Sequence, residues 1–226
     1  SRHRAVYDRH LGRERQRILG LIDDVEGNRF AILRALTTLR LLALDPVLVS
    51  PEYAGLGASA KIETLVEHLT ELAAEGHRAL VFSQFTGFLT MAREALEQAG
   101  LETCYLDGST RNRPEVIDRF RTGSADAFLI SLKAGGFGLT LTEADYVFVV
   151  DPWWNPAAEA QAIDRTHRIG QTSPVNVYRL VSADTIEEKV VALQERKRDL
   201  FTRVVDEGAL LSSALNAEDL RGLLER

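Results

Sequence analysis

A glycine-rich segment that carries one lysine offers the clearest chemistry in the sequence. Residues 131–138 read Ser-Leu-Lys-Ala-Gly-Gly-Phe-Gly, directly after an apolar run. Glycines let backbone amides approach an anion closely, and Lys133 adds positive charge, so a phosphate-binding loop is one interpretation. The other is a tight turn that needs glycine only for positive φ. The segment is not a Walker A loop, because no glycine span here ends in Gly-Lys-Ser/Thr, and Gly-x-Gly-x-x-Gly is also absent.

A second segment, Gly108-Ser109-Thr110, combines two hydroxyls with small residues beside Arg111 and Arg113. Hydroxyls, free amides and guanidinium groups suit a DNA or nucleotide phosphate. The same residue types are also ordinary turn formers, so the segment alone is a weak signal.

Two arginines three residues apart could act together on a phosphoryl group. Arg165 and Arg168 share one face if a helix runs through them, and two guanidinium groups can clamp phosphoryl oxygens. The alternative is a pair of surface arginines that bridge to Asp164 or Glu159. The neighbouring His167 is typical of a structural histidine, and no histidine spacing indicates a metal site.

The elements that must position these segments alternate between strands and helices. Apolar runs predict strands at 79–83, 102–106, 126–131, 146–150 and 175–181. Helices are predicted from about 59 to Gly76, at 86–99, at 114–121 and from Asn155, with Gly76 and Gly100 as stops. This order predicts an α/β fold with a parallel sheet covered on both faces. Ligands gather where such strands end, so the segments should share one edge.

Helices are also expected on either side of this α/β region. The pattern predicts helices at 11–25 and 28–44, and Asp45-Pro46 ends the second one. Residues 50–58 are the best linker candidate. A capping box at Thr185-Ile186-Glu187-Glu188 predicts a long helix to about residue 206. We therefore expect a helical appendage at 1–58, the main lobe at 59–182, and a C-terminal helix and tail at 183–226.

Composition limits the class of protein. The 226 residues carry a net charge of −6 and one cysteine, Cys104, which excludes an internal disulfide and a cysteine-based zinc site. No run approaches the ~20 apolar residues of a membrane span, and no signal peptide opens the chain. The chain begins without methionine, which suggests a piece of a longer polypeptide. Residues 1–40 hold nine arginines against five acidic residues, so they form either a phosphate-binding patch or a solvated helical face.

Taken together, these segments resemble the Swi/Snf-related ATPases of helicase superfamily two, from about residue 28 to 224. Gln161 and the run from Asp164 to Gln171 look like motif VI of that family, and Asp151-Pro152-Trp153-Trp154-Asn155-Pro156 is nearly diagnostic. Residues 131–141 look like motif V, 81–85 like motif IV, and 106–110 like the motif between them. Two departures are Ala43-Leu44-Asp45-Pro46, where many relatives have Cys-Asn-His-Pro, and Thr140, where asparagine is common.

The resemblance implies the C-terminal RecA-like lobe of a two-lobed motor on double-stranded DNA. ATP and Mg²⁺ would be bound mainly by an N-terminal Walker-motif lobe of the same polypeptide, and this chain alone would be nearly inactive. Arg165 and Arg168 match the arginine fingers of the family. Support for the ATP cleft is expected from Gln161, Asp164, Gly138 and His167. DNA contacts are expected from Ser83, Gln84, Gly108, Ser109, Thr110, Ser131, Lys133, Gly135, Gly136 and Trp153. Residues 185–206 would form the brace helix that returns to the other lobe.

Two other functions stay open at this point. The lobe could be a non-catalytic RecA-like scaffold that binds DNA or protein, or part of an RNA-acting helicase of the same superfamily. Further partners would be DNA-bound proteins or RNA polymerase, and no membrane is expected. The Arg- and Ala-rich, lysine-poor composition favours a bacterial, nucleoid-associated protein, whereas a eukaryotic member would work in the nucleus.

Overall fold

The computed structural model of the chain describes residues 2–133, 139–152, 159–160, 163–164, 174–201 and 215–225. The chain divides into two compact units. The appendage unit comprises Ser1–Ser59, Pro152–Ala157 and Val181–Arg226, and the sheet unit comprises Ala60–Asp151 and Ala158–Leu180. No helix in the described ranges is long and apolar enough to cross a membrane.

The sheet unit is built on five parallel strands. They are β1 (Ala79–Ser83), β2 (Thr103–Leu106), β3 (Ala127–Ser131), β4 (Tyr146–Val149) and β5 (Asn176–Arg179). Their order across the sheet is β2-β3-β1-β4-β5, and every pair is parallel. The predicted α/β fold with a parallel sheet is therefore confirmed.

Helices cover both faces of this sheet because its strands are apolar on both faces. All five residues of β1 are buried, as expected for a central parallel strand. Phe120 of α5 (Arg113–Arg121) packs in one core with Leu80 and Phe128. Phe148 lies on the opposite face, where His68 of α3 (Ala60–Ala74) contacts it, and α4 (Thr86–Gln98) packs beside α3.

Glycines end two of these helices as predicted. Gly76 and Gly100 have φ of +83° and +89°, the left-handed region that favours glycine. The next residues close the helix ends, since His77 N donates to Leu72 O at 2.9 Å and Leu101 N donates to Leu96 O at 3.0 Å. These are Schellman-type ends, which turn the chain sharply towards the following strand.

The appendage unit begins with two helices, α1 (Arg2–Leu19) and α2 (Arg29–Leu44). The prediction for α2 is close, but the predicted bounds 11–25 for α1 are wrong. Val6 and Tyr7 extend the buried stripe of α1 towards the N-terminus, and Gly20 follows its end. Residues 50–58, the predicted linker, include a 3-10 segment at Pro51–Leu56.

Several arginines of residues 1–40 have partners within the appendage unit. Arg40 is only 2% exposed and donates to Pro152 O at 3.0 Å. Arg4 and Arg29 pair with Asp8 and Glu26 at 3.1 and 3.2 Å. Others, among them Arg9, Arg13 and Arg15 of α1, are exposed, so a phosphate-binding patch in this region stays a prediction.

The C-terminal part of the appendage unit contains α6 (Ile186–Arg196), α7 (Arg198–Phe201) and α8 (Ala217–Leu223). The prediction of one continuous helix to about residue 206 is wrong, because Lys197 leaves the helical region at φ −118°. The Lys197 ammonium pairs with Asp219 of α8. Local sequence patterns do not report such a tertiary contact.

The start of α6 differs from the predicted capping box. The Thr185 hydroxyl accepts from Glu187 N at 3.2 Å, which caps the helix. The glutamates, however, reach past Thr185: Glu187 accepts from Ser182 N at 2.8 Å, and Glu188 accepts from Asp184 N at 2.7 Å. Asp184 has φ +54°, so the turn before the helix brings these amides within reach of the carboxylates.

Candidate nucleic-acid and nucleotide interface

The carboxyl edge of the sheet, where all strands end, brings the predicted segments together. Ser83 at the end of β1 lies in register with Ser131 at the end of β3. Leu132 N donates to Ser83 O at 2.9 Å, and Val150 N donates to Phe82 O at 3.1 Å. The segments that follow β1, β3 and β4 therefore leave the sheet side by side, as expected at the ligand-binding edge of an open α/β sheet.

A buried hydrogen-bond network joins the ends of β1 and β4. Ser83 Oγ donates to a carboxylate oxygen of Asp151 and accepts from Phe85 N at 3.0 Å. Gln84 N approaches the second Asp151 oxygen at 3.5 Å. Ser83 and Asp151 are 0% and 1% exposed. Because buried polar groups need partners, this network fixes the shape of the segment after β1.

Three residues that the sequence assigned to DNA contact have buried side chains. Ser83, Gln84 and Ser131 are 0%, 6% and 1% exposed. The Ser83 hydroxyl is already engaged, so it could reach a ligand only after rearrangement. Their contact with DNA stays a prediction, and in this structure their side chains belong to the interior of the edge.

A buried lysine also holds this region, and the sequence analysis gave it no role. Lys61 Nζ donates to Val150 O at 2.6 Å, and the residue is 6% exposed. The signal was present, since Lys61 precedes Leu65 and Leu69 by four and eight residues and thus lies on the apolar face of α3. A buried lysine needs a hydrogen-bond acceptor for its ammonium group, and here the acceptor is the Val150 carbonyl just after β4.

The segment after β2 is an exposed turn organised by Asp107. Asp107 Oδ1 accepts from Ser109 N at 2.8 Å and from Ser109 Oγ at 2.6 Å, and Oδ2 accepts from Tyr105 Oη at 3.0 Å. The hydrogen bond from the Ser109 hydroxyl is the largest of the effects that lower the pKa of Asp107. The carboxylate therefore stays ionised to a lower pH than an ordinary aspartate, and its hydrogen bonds close the turn.

The expectation of free amides in this turn needs correction. The amide and the hydroxyl hydrogen of Ser109 are both donated to Asp107, and Thr110 N donates to Asp107 O at 3.3 Å. Arg113 is also directed inwards, towards the carbonyls of Asp107 and Thr110 at 3.3 Å each. Arg111 and Gly108 are exposed, so Arg111 is the cation that this turn presents to solvent.

The segment after β3 presents Lys133, which is exposed. Gly135, Gly136 and Gly138 lie outside the described residues. Where the chain is described again, Thr140 O accepts from Arg121 at 2.7 Å, which attaches this part of the chain to α5.

The helix that would carry the arginine pair is described at residues 159–160 and 163–164. Asp164 is exposed, whereas Glu159 is 2% exposed and lies 2.6 Å from Arg179 of β5. Glu159, one of the two carboxylates considered as partners of the arginine pair, is thus engaged by the sheet. Arg165, Arg168, Gln161, His167 and Trp153 lie outside the described residues.

Comparison with known proteins identifies the class of this fold. Residues 60–170 match the family described as the helicase conserved C-terminal domain. The chain is also similar to a solved structure, the Sulfolobus solfataricus SWI2/SNF2 ATPase core in complex with dsDNA. That match covers 100% of this chain and 48% of the other, with a TM-score of 0.79 and 29% identity. The chain is therefore a RecA-like C-terminal helicase lobe.

Curated relatives place the lobe in a family. The ATP-dependent helicase rhp16 of Schizosaccharomyces pombe is 41% identical over 171 residues, which cover 74% of this chain and 20% of that protein. The DNA repair protein RAD5A of Arabidopsis thaliana is 40% identical over 168 residues, 73% of this chain and 16% of that protein. The chain belongs to the Swi/Snf family of ATPases. It spans about a fifth or less of these relatives, and their eukaryotic sources do not support the expectation of a bacterial protein.

Proposed function

We propose that this lobe is part of an ATP-dependent motor that moves along double-stranded DNA. The observation that carries the proposal is the shared carboxyl edge, which collects the segments after β1, β2, β3 and β4 in a lobe of the Swi/Snf fold. A structural relative with this fold is described in complex with dsDNA. The same edge in this chain presents the exposed cations Arg111 and Lys133 to solvent, as a phosphate-binding surface requires.

The DNA strand is held through its phosphates at this edge. Lys133 and Arg111 are the exposed cations on the segments after β3 and β2. Phosphate contacts position a protein on DNA without reading sequence, which suits a motor that must pass any sequence. Ser83 and Asp151 act behind the surface and keep the segment after β1 in one conformation.

ATP hydrolysis needs a second, Walker-motif lobe in the same polypeptide, with Mg²⁺ beside the nucleotide. Arg165 and Arg168 reach the β- and γ-phosphates and stabilise the charge that develops in the transition state. The ATP cleft is supported by Asp164 and, as the sequence predicts, by Gln161, His167 and Gly138. The chain described here supplies groups to an active site that it does not complete.

The arginine pair is tested by Arg168→Ala in the full-length protein. ATP turnover should fall by about a thousandfold or more, as for other arginine fingers, while duplex DNA binding changes by less than about twofold. Arg119→Ala, at an exposed arginine of α5 that pairs with Glu102, is the matched control and should leave both unchanged. Wild-type turnover in Arg168→Ala would show that the assignment is wrong.

Two measurements separate this function from its alternatives. Duplex DNA should stimulate the ATPase of the full-length protein far more than single-stranded RNA, and the reverse order would indicate an RNA helicase. A protein that binds DNA but hydrolyses no ATP would instead be a scaffold. This chain alone should show no DNA-stimulated ATPase. In a eukaryotic cell, a motor on DNA works in the nucleus, in line with relatives named for DNA repair.

A further inference from the structure

The outer strand of the sheet is open, unlike the strands inside it. All four residues of β5 are exposed, whereas all five residues of β1 are buried. Val177 and Tyr178, which point to opposite faces, are 44% and 46% exposed. An edge strand with exposed apolar residues on both faces is a template for a further strand.

The backbone of β5 is also available on its outer side. Asn176 N and Leu180 N donate to Asp145 O and Val149 O, each at 2.9 Å, so they face β4. Donors alternate along a parallel strand, and the amides of Val177 and Arg179 therefore point outwards. Within the described ranges, no strand pairs with that outer side.

One face of this edge is a flat aromatic surface. The Tyr178 ring stacks on Phe148 at 5.4 Å and 16°, and on Tyr146 at 6.1 Å and 10°. His68 of α3 stacks against Tyr178 at 6.4 Å. These four rings are here called the aromatic surface: Phe148 is buried beneath it, Tyr146 is half-buried, and Tyr178 and His68 are exposed. Such a surface suits stacking by a guanidinium group or an aliphatic side chain.

Carboxylates border the aromatic surface. Exposed glutamates recur every four residues, at Glu63, Glu67 and Glu71 of α3 and at Glu75 in the turn that follows it. Glu71 and Glu75 lie three and seven residues after His68, on the same flank of the helix. Glu75 and Asp145 are among the groups that raise the pKa of Tyr146, after desolvation and Tyr178. The exposed carboxylates of Glu71 and Glu75 therefore give this flank negative charge, which favours a cationic partner.

We propose that β5, the aromatic surface and the glutamates of α3 form a docking site for an extended polypeptide segment rich in lysine or arginine. The segment adds to β5 as a further strand, its main chain bonded to the outward amides of Val177 and Arg179. One basic side chain stacks on Tyr178, and its neighbours approach Glu71 and Glu75. Duplex DNA does not fit here, because its phosphates would meet these carboxylates.

The probe is a fluorescein-labelled peptide of about ten residues in which arginine and valine alternate, a pattern that suits a half-buried strand. Its anisotropy is measured with the chain at low salt. We expect saturable binding, and binding about tenfold or more weaker for a peptide in which glutamate replaces arginine, because like charges then meet on α3. Equal binding of both peptides, or no binding of the basic one, would overturn the proposal. A peptide with proline at alternate positions should bind poorly, and full binding of that peptide would exclude strand addition.

Two variants test the surface itself. Tyr178→Ala, and Glu71→Lys combined with Glu75→Lys, should each weaken the basic peptide by about tenfold, and only the charge effect should fade near 1 M salt. The matched control reverses two charges elsewhere in the sheet unit, Asp118→Lys with Glu94→Lys. Wild-type affinity in both test variants, or an equal loss in the control, contradicts the docking site. Unchanged circular dichroism and thermal unfolding exclude a folding defect.

Duplex DNA provides the last arm of the experiment. A short duplex added to the peptide complex should not displace the peptide, and the variants should keep the DNA affinity of the wild type. Displacement by the duplex would instead assign this surface to the DNA path and overturn the docking site. The DNA-stimulated ATPase activity of the full-length protein tests the proposed motor separately. Failure of the docking site is therefore distinguishable from failure of the proposed motor function.

Discussion

The segments that follow β1 and β2 use the same chemistry in opposite surroundings. In each, a serine hydroxyl donates to a carboxylate: Ser83 to Asp151, and Ser109 to Asp107. Ser83 and Asp151 are 0% and 1% exposed, whereas Ser109 lies in solvent. Ser83 and Asp151 are 68 residues apart in sequence and connect the ends of two strands. Ser109 and Asp107 are two residues apart and close a turn.

The difference teaches what each pair can contribute. A donor left without a partner in the interior costs about 1–3 kcal/mol, whereas an exposed donor turns to water at little cost. Asp151 therefore contributes to the stability of the fold, and its removal should destabilise the whole sheet unit. The Ser109 hydroxyl lies in solvent, where water can replace the carboxylate as its acceptor, so the turn after β2 depends less on this hydrogen bond.

The largest expected effect comes from Asp151→Ala. Removal of the carboxylate leaves the Ser83 hydroxyl and Gln84 N without this acceptor in the interior, and we expect a loss of about 2–4 kcal/mol in the free energy of unfolding. Chemical denaturation followed by circular dichroism measures it. Asp151→Asn keeps the volume and one acceptor oxygen, so it should cost less than the alanine variant.

Asp107→Ala is the comparison that makes this prediction sharp. This variant removes a carboxylate that accepts at least as many hydrogen bonds as Asp151 does, but in an exposed turn. It should therefore lower the free energy of unfolding by about 1 kcal/mol or less. Similar losses for Asp151→Ala and Asp107→Ala would show that burial is not what distinguishes the two segments.

A smaller effect with a defined pH dependence is expected from Asp107→Asn. The pKa of Asp107 is lower in the folded chain than in the unfolded chain, chiefly because Ser109 donates to its carboxylate. The contribution to stability is therefore complete above the unfolded pKa and is lost as the pH falls through the folded pKa. Solvent still screens this half-buried group, so we expect about 0.5 kcal/mol or less near neutral pH.

Urea unfolding of the wild type and Asp107→Asn at several pH values measures this difference. The gap in unfolding free energy should narrow as the pH falls below about 4, the ordinary range for aspartate. Ser109→Ala removes the main cause of the lowered pKa and should show the same trend. A gap that widens in acid would contradict the role given to the Asp107 carboxylate.

The contrast between the two segments also shows what a sequence can predict. Apolar runs predicted all five strands: the central strands β1 and β3 are buried on both faces, and Val177 and Tyr178 gave an apolar signal in the exposed β5 as well. Burial of Ser83, however, depends on Asp151, which only the folded sheet brings near. Lys61 and Arg40 could have been found, since each lies on the apolar face of its helix. The break in the helix at Lys197 could not have been predicted in this way, because Asp219, with which Lys197 pairs, belongs to a separate helix.

The smallest effect on stability, and the most direct test of the edge as a DNA surface, is expected from Lys133→Ala. Lys133 is exposed, so the free energy of unfolding should change by less than about 0.5 kcal/mol. If Lys133 contacts a phosphate, duplex affinity should fall about equally for all sequences, and the slope of log affinity against log salt should decrease by about one. Fluorescence anisotropy at several salt concentrations measures both in the full-length protein. Arg119→Ala on α5 serves as the control, and an unchanged slope in Lys133→Ala would show that Lys133 does not contact DNA and leave Arg111 as the exposed cation to test next.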